Sequence, residues 1–318
     1  GGVLALLGRD AGGQATLDAP ILIRCAEFER SGRLRVPVGA TLVRHSVPEH
    51  EVAETHAKAA GVLAALGLGT GRSPAAAPTH GCDVEVRAAL ERRNDTLARF
   101  WLDPRSADAA PLAPELVGRH ALVVDAEDTF TGMLAHQLRA LGLTVTVRSY
   151  RQYPSVGGYD LVVAGPGPGD PESQTDRKMG ELRRVVRTAL AAGQPLLGIC
   201  LGHQVLASLL GLPLVRKDVP YQGVQRKIDF FGRPELVGFY STFTATAAEP
   251  AAQTPYGPIE LARGDTGEVH ALRGATFAGV QFHPESILTQ HGITLLRTLL
   301  TRTDRERAAR GVGQGSNL

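Results

Sequence analysis

The sequence predicts an α/β fold for the C-terminal part of the chain: an open, mostly parallel sheet flanked by helices, with a smaller α+β segment in front of it. Three observations lead there. From His120 onward, short aliphatic runs alternate with amphipathic stretches, the pattern of successive βαβ units. The runs are almost continuously apolar, as strands covered on both faces must be. A stretch of Gly, Ala, Pro, Thr and Ser between Gly67 and Pro78 has no period and divides this region from what precedes it.

Residues 1–67 hold strand-like runs at 19–28 and 33–43 and a helical stretch rich in Ala, Glu and Leu at 48–66, too little to close a core. The opening Gly1-Gly2-Val3-Leu4 reads like the interior of a domain, so a fragment of a longer polypeptide is expected. Residues 68–118 read as a linker, with helical spacing at Val86, Leu90, Leu97 and Trp101. The main domain is assigned to residues 119–302. Its strands are expected at 121–124, 144–147, 161–164 and 194–199, and its helices at 130–141, 178–192 and 201–210. Beyond Pro220 strands of mixed type follow, ending at 277–282, then a helix at 292–301 and a tail at 303–318.

Composition narrows the function. With 34 basic and 32 acidic residues the formal charge is +2, which gives no electrostatic reason to bind nucleic acid or an anionic membrane. No apolar run approaches the ~20 residues of a membrane span. The cysteines, Cys25, Cys82 and Cys200, share no metal or redox spacing, and their odd number argues against a secreted disulfide framework, so a reducing cytoplasm is expected.

Two motifs carry chemistry. Gly198-Ile-Cys-Leu-Gly202 places a cysteine between glycines at a strand-to-helix junction, the mechanics of a nucleophile elbow. The turn pushes the thiol out of the sheet, and the N-terminus of the next helix favours a thiolate. The Leu201 N–H then faces a developing oxyanion, and the loop Gly165-Pro-Gly-Pro-Gly-Asp-Pro171 offers a second donor. The alternative is an inert core thiol beside a plain turn. In Gln281-Phe-His-Pro-Glu285, His283 and Glu285 stand two apart at the end of an apolar run, so their side chains point the same way. A histidine can take the thiol proton and return it to a leaving amine, while a carboxylate orients the ring. Taken alone His-Pro-Glu is more often a surface turn, but beside the elbow it completes a Cys-His-Glu set. Gln204, one helical turn past Cys200, shares its face and is either a substrate contact or a satisfied amide.

On these residues, 119–302 resembles the class I, or triad, glutamine amidotransferases. The glycine-proline loop matches at Gly165 to Pro171, the nucleophile motif at Gly198 to Gln204 and the histidine-glutamate signature at Phe282 to Ser286, in family order. The resemblance implies that Cys200 attacks L-glutamine to form a glutamyl thioester, with His283 and Glu285 completing the triad. It also implies oxyanion donors at Gly167 and Leu201, glutamine contacts at Gly167, Pro168, Gly169, Gln204, Thr242 and Phe243, and no cofactor at this site. Asp125-Ala-Glu-Asp-Thr-Phe130 and Tyr240-Ser-Thr-Phe243 depart from the usual family wording.

The N-terminal segment resembles the tail of a chorismate-binding synthase, through Arg24, Pro37-Val-Gly-Ala-Thr-Leu-Val43 and the acidic run from Ser46 through Glu54 to Lys58. It would then be a fragment of an α+β chorismate-binding domain. The resemblance implies that Arg24, Gly39 and Lys58 contact chorismate and that Glu54 binds Mg2+ with ligands from elsewhere. The residues alone read as a solvated helix face with one i,i+4 ion pair. A synthase followed by its glutaminase is the order of fused anthranilate synthases and of the phenazine-pathway synthases that make 2-amino-2-deoxyisochorismate. The runs at 38–46, 221–225 and 238–243 resemble the phenazine type more closely. The implied partners are glutamine, chorismate, ammonia passed between domains, and a second copy in a homodimer. Competing readings are a stand-alone thiol hydrolase such as a glutamyl peptidase, and a silent binding module, which would predict a broken triad.

Overall fold

The computed structural model describes residues 2–3, 5–9, 13, 15–18, 21–68, 83–104 and 109–313. Cys82, most of the Gly/Pro-rich linker and the last five residues lie outside the described residues. The chain divides into two compact units, Gly1–Arg87 and Ala88–Leu318.

The first unit contains β1 (Gly2–Val3), β2 (Leu6–Arg9), β3 (Ala15–Asp18), β4 (Ile21–Leu22), β5 (Glu27–Phe28), β6 (Leu34–Arg35) and α1 (Pro48–Ala65). Three two-stranded antiparallel pairs form, β1 with β4, β2 with β3 and β5 with β6. The two strand-like runs of this region are therefore much shorter than their sequence pattern suggests. Pro37 lacks an N–H and ends the second run just after Arg35. Pro48 occupies the first turn of α1, where its missing N–H costs nothing. Among the residues of this unit whose burial is described none is buried, and Leu7, Ile23, Leu42 and Val43 are mostly exposed.

The second unit begins with the remainder of α2 (Val84–Arg92), then α3 (Arg99–Leu102), and continues with β7 (His120–Asp125), α4 (Thr131–Ala140), β8 (Thr144–Ser149), β9 (Leu161–Ala164), α5 (Arg177–Ala191), β10 (Leu196–Ile199) and α6 (Leu201–Leu209). It ends with β11 (Leu214–Asp229), β12 (Pro234–Thr246), β13 (Ala251–Thr254), β14 (Gly257–Arg263), β15 (Glu268–Arg273), β16 (Phe277–Val280) and α7 (Gly292–Gly313). One ten-stranded sheet runs β11-β12-β15-β16-β10-β9-β7-β8, with β14 also on β15 and β13 on β14. The five strands from β16 to β8 pair in parallel, and the remainder pair antiparallel. This is a mixed sheet with a parallel centre. Strand β11 starts before Pro220 and passes through it, because that proline falls on an edge strand at a register shift between Arg216 and Tyr221, where no ladder bond is required of it.

Side chains alternate across β7, so Ala121 and Val123 join one core while Leu122 and Val124 join the other. The first core is closed by Leu134 and Leu138 of α4 and by Leu295, Leu296 and Leu299 of α7. The second is closed by Met179, Leu182, Val185 and Val186 of α5 and by Val205 and Leu206 of α6. Helix α7 runs past Thr301 to Gly313, and Leu300 and Thr303 are buried, so the expected tail begins as a continuation of this helix. With both faces covered, the open ground for a ligand is at the carboxyl ends of the parallel strands.

Candidate active site

Cys200 stands at the carboxyl end of β10 as the residue before α6, with φ +50° and ψ −101°. That is sparsely populated backbone for a non-glycine residue, held here by its surroundings. Its N–H donates to the Val280 carbonyl at 2.9 Å, tying the elbow to β16. The flanking glycines are dictated by space: a Cβ on Gly202 would lie 2.1 Å from the Ala164 carbonyl oxygen, and one on Gly198 would lie 2.8 Å from Gly202 backbone. Leu201 opens α6, so its N–H is one of the donors a helix leaves without an internal acceptor. The glycine-proline loop follows β9, and a Cβ on Gly167 would meet the Ala126 carbonyl oxygen at 2.3 Å.

His283 and Glu285 follow β16 and are 1% and 0% exposed. The His283 Nδ1 lies 2.7 Å from Glu285 Oε1, which leaves the buried Nε2 for the nucleophile side, toward Cys200. Burial disfavours an imidazolium at His283. The Cys200 sulfur and the Glu285 carboxylate outweigh it and raise the histidine well above its ordinary range. The His283 ring is braced by Phe130 and Tyr240, each with its centroid 5.0 Å away. Tyr240 is in turn hydrogen-bonded to Ser286 at 3.0 Å. The two segments that depart from the family wording therefore each contribute an aromatic wall, through Phe130 and Tyr240.

A pocket of about 350 Å3 opens above Cys200, lined by Gly167, Pro168, Gly169, Gln204, Thr242 and Phe243, together with Phe130 and Tyr240. Every glutamine contact expected from sequence thus lines one cavity beside the thiol, while His283 and Glu285 lie buried behind it. Gln204 Nε2 donates to the Phe243 carbonyl at 2.8 Å and to Gln281 Oε1 at 3.1 Å. Gln281 Nε2 in turn approaches Cys200 Sγ at 3.7 Å. Sequence reasoning passed over Gln281, although it stands two residues before His283 and so shares its face.

In the first unit, Arg24, Gly39, Thr41 and Lys58 line a cavity of about 820 Å3. Lys58 Nζ donates to the Gly39 carbonyl at 3.0 Å and pairs with Glu54 at 2.7 Å. Among the described residues no group of three or more His, Cys, Asp or Glu side chains is placed to hold a metal ion. None of the helices there is long and apolar enough to cross a membrane.

A cysteine elbow on a parallel sheet, faced by a buried His–Glu pair, is the arrangement that thiol-dependent amidase chemistry requires. Residues 122–302 match the family described as glutamine amidotransferase class-I, and residues 10–64 match chorismate binding enzyme. The chain belongs to the class I glutamine amidotransferase family. It is 48% identical over 301 residues to "Anthranilate synthase, phenazine specific" of Pseudomonas fluorescens, covering 94% of this chain and 46% of that protein. It is 46% identical to the protein of that description from Pseudomonas chlororaphis, over 98% of this chain and 49% of the relative. "Anthranilate synthase component 2" of Azospirillum brasilense is 34% identical over 58% of this chain and 96% of its own length. The chain spans about half the length of the fused relatives it matches.

Proposed function

We propose that this chain is the glutaminase half, with the end of the synthase half, of an enzyme that aminates chorismate to 2-amino-2-deoxyisochorismate. The observation that carries the first part is the buried His283–Glu285 pair, 2.7 Å apart, behind a thiol at the floor of a pocket. The order of the two family matches and the phenazine-specific relatives support the second part.

In the proposed reaction the Cys200 thiolate attacks the glutamine carboxamide carbon. The N–H groups of Leu201 and Gly167 receive the oxyanion, and the His283 imidazolium gives its proton to the departing ammonia. Water then attacks the glutamyl thioester with His283 as base, releasing glutamate and the thiol. Pro168, Gly169, Gln204, Thr242 and Phe243 hold the substrate, and no cofactor takes part at this site. Ammonia passes to the synthase domain without meeting bulk water, where it would become ammonium.

Arg24, Gly39 and Lys58 are proposed to contact chorismate, because they share one cavity. Glu54 would give one carboxylate to Mg2+. The described residues do not complete a metal site, since Lys58 already neutralises Glu54, and no step here is routed through the metal. A cytoplasmic setting is proposed from the odd number and the spacing of the three cysteines, and a homodimer from the synthase resemblance.

The test is product analysis of the full polypeptide with chorismate, glutamine and Mg2+, beside Cys200→Ala supplied with ammonium. Aminodeoxyisochorismate without pyruvate, and a variant that works only with ammonium, are the expected results. Anthranilate plus pyruvate would make it a fused anthranilate synthase instead. A variant still active with glutamine would remove Cys200 from the mechanism.

A further inference from the structure

The loop that carries Glu285 has no regular structure, yet Glu285 must hold His283 to within a fraction of an ångström. Part of its support is local, with Ser286 N–H donating to the His283 carbonyl at 3.1 Å, and part comes from β12, where Gly238 N–H donates to Thr289 Oγ1 at 3.0 Å. A further part comes from a segment almost two hundred residues earlier. Ala98 N–H donates to the Ile287 carbonyl at 2.8 Å, and Trp101 Nε1 donates to the Glu285 carbonyl at 2.9 Å. Gln290 Nε2 donates to the Asp95 carbonyl at 2.7 Å. Gln225 Nε2 bridges the two segments, donating to the carbonyls of Thr96 and Leu288 at 2.8 Å each. Residues 95–101 therefore run along residues 285–290, bonded at each end and in the middle.

The indole is itself anchored. Its ring meets Phe100 edge-on at 4.8 Å and lies 5.6 Å from His136 on α4. The next residue of that helix, the fully buried Gln137, reaches the Pro284 carbonyl at 3.4 Å. Consecutive carbonyls of the loop, those of Pro284 and Glu285, are thus fixed by α4 and by the indole it supports. This segment lies outside both family matches, which cover residues 10–64 and 122–302, so the class I domain does not bring it along.

We propose that residues 95–101, within the stretch read from sequence as a linker, are a strut of the amidase site, and that Trp101 is a positioning residue acting on the triad through the Glu285 backbone. The inference rests on the triad reading given above. A displacement of about 1 Å in such an orienting group is enough to cost on the order of 10²-fold in rate.

Trp101→Phe in the full polypeptide keeps a ring and removes the N–H. The expected result is a kcat for glutamate release about 10-fold lower, with the KM for glutamine within about two-fold of wild type. The pH profile of Cys200 alkylation by iodoacetamide, read by peptide mass spectrometry, should move to higher pH while the chain stays folded by circular dichroism. A folded variant with wild-type kcat and an unmoved alkylation profile overturns the proposal. If Trp101→Phe does not fold, Gln290→Met loosens the strut from the loop side. Losses in the same direction are then required, and wild-type behaviour there overturns it equally. If the unmutated polypeptide alkylates at Cys200 but releases no glutamate, the amidase reading fails, and the alkylation profile alone decides the strut.

Discussion

At the scale of single residues, the site depends on groups that each do one thing under constraint. Cys200 is bent into φ +50° so that its sulfur faces the pocket, and the backbone strain, on the order of 1–3 kcal/mol, is borne by the sheet around it. Glu285 faces the histidine with one oxygen, while its Oε2 is buried with no hydrogen-bond partner, a costly arrangement that keeps the carboxylate dependent on His283. Glu285→Gln retains the shape and removes the charge that raises His283. Glutamine hydrolysis should fall on the order of 10³-fold in kcat with little change in KM, as measured by steady-state glutamate release. A loss under about two-fold would reduce Glu285 to a structural residue.

At the scale of elements, the elbow exists because β9, β10 and α6 approach more closely than side chains allow. Gly202 is the point of contact: it sits in the first turn of α6, against the Ala164 carbonyl at the end of β9. Gly202→Ala must push α6 off the strand, with a destabilisation of about 3 kcal/mol or more and a displaced nucleophile. Chemical denaturation should therefore give a lower midpoint with the slope unchanged, and Cys200 alkylation should slow. The same variant with wild-type stability would mean that the elbow is softer than its geometry implies. On the opposite side, α4 packs on the sheet through Leu134 and Leu138 and also presents His136 and Gln137 to the catalytic loop. One helix thus serves both core and site.

At the scale of the whole molecule, stability should depend on pH through a residue outside the chemistry. His203 on α6 is fully buried, and burial pushes its pKa down to about 4, against the backbone of Val269 and Gly279, which favours the protonated ring. An unfolded histidine takes up its proton near pH ~6.5. Above that pH both states are neutral and the residue makes no difference. Between about 6.5 and 4 the unfolded chain holds the extra proton, so unfolding becomes easier as pH falls, by about 3 kcal/mol in total. Urea titrations from pH 7 to pH 4 should show this slope in wild type and lose most of it in His203→Met. Equal slopes in both would assign the acid sensitivity to other groups.

Much of this was readable in advance. The alternation of aliphatic runs and amphipathic helices is written in periodicity, and Gly198-Ile-Cys-Leu-Gly202 and His-Pro-Glu carry their chemistry in adjacent residues, because strand and helix periods fix which side chains share a face. The N-terminal strands were overread, since a β pattern needs neighbours to pair with, and the first unit has few. The antiparallel half of the sheet was legible only as strands of mixed type, because pairing partners are chosen by tertiary contact. Trp101 was beyond local reading for the same reason, and Gln281, although its spacing from His283 was visible, showed its contact with Cys200 only in the packed chain. Gln281 reaches Cys200 across 81 positions of sequence and Trp101 reaches Glu285 across 184. Periodicity determined which elements form, and short-range chemistry marked the candidate nucleophile and its histidine. Only the packed structure decided which distant amide and indole hold them in place, because hydrogen bonds over such separations leave no local trace in the chain.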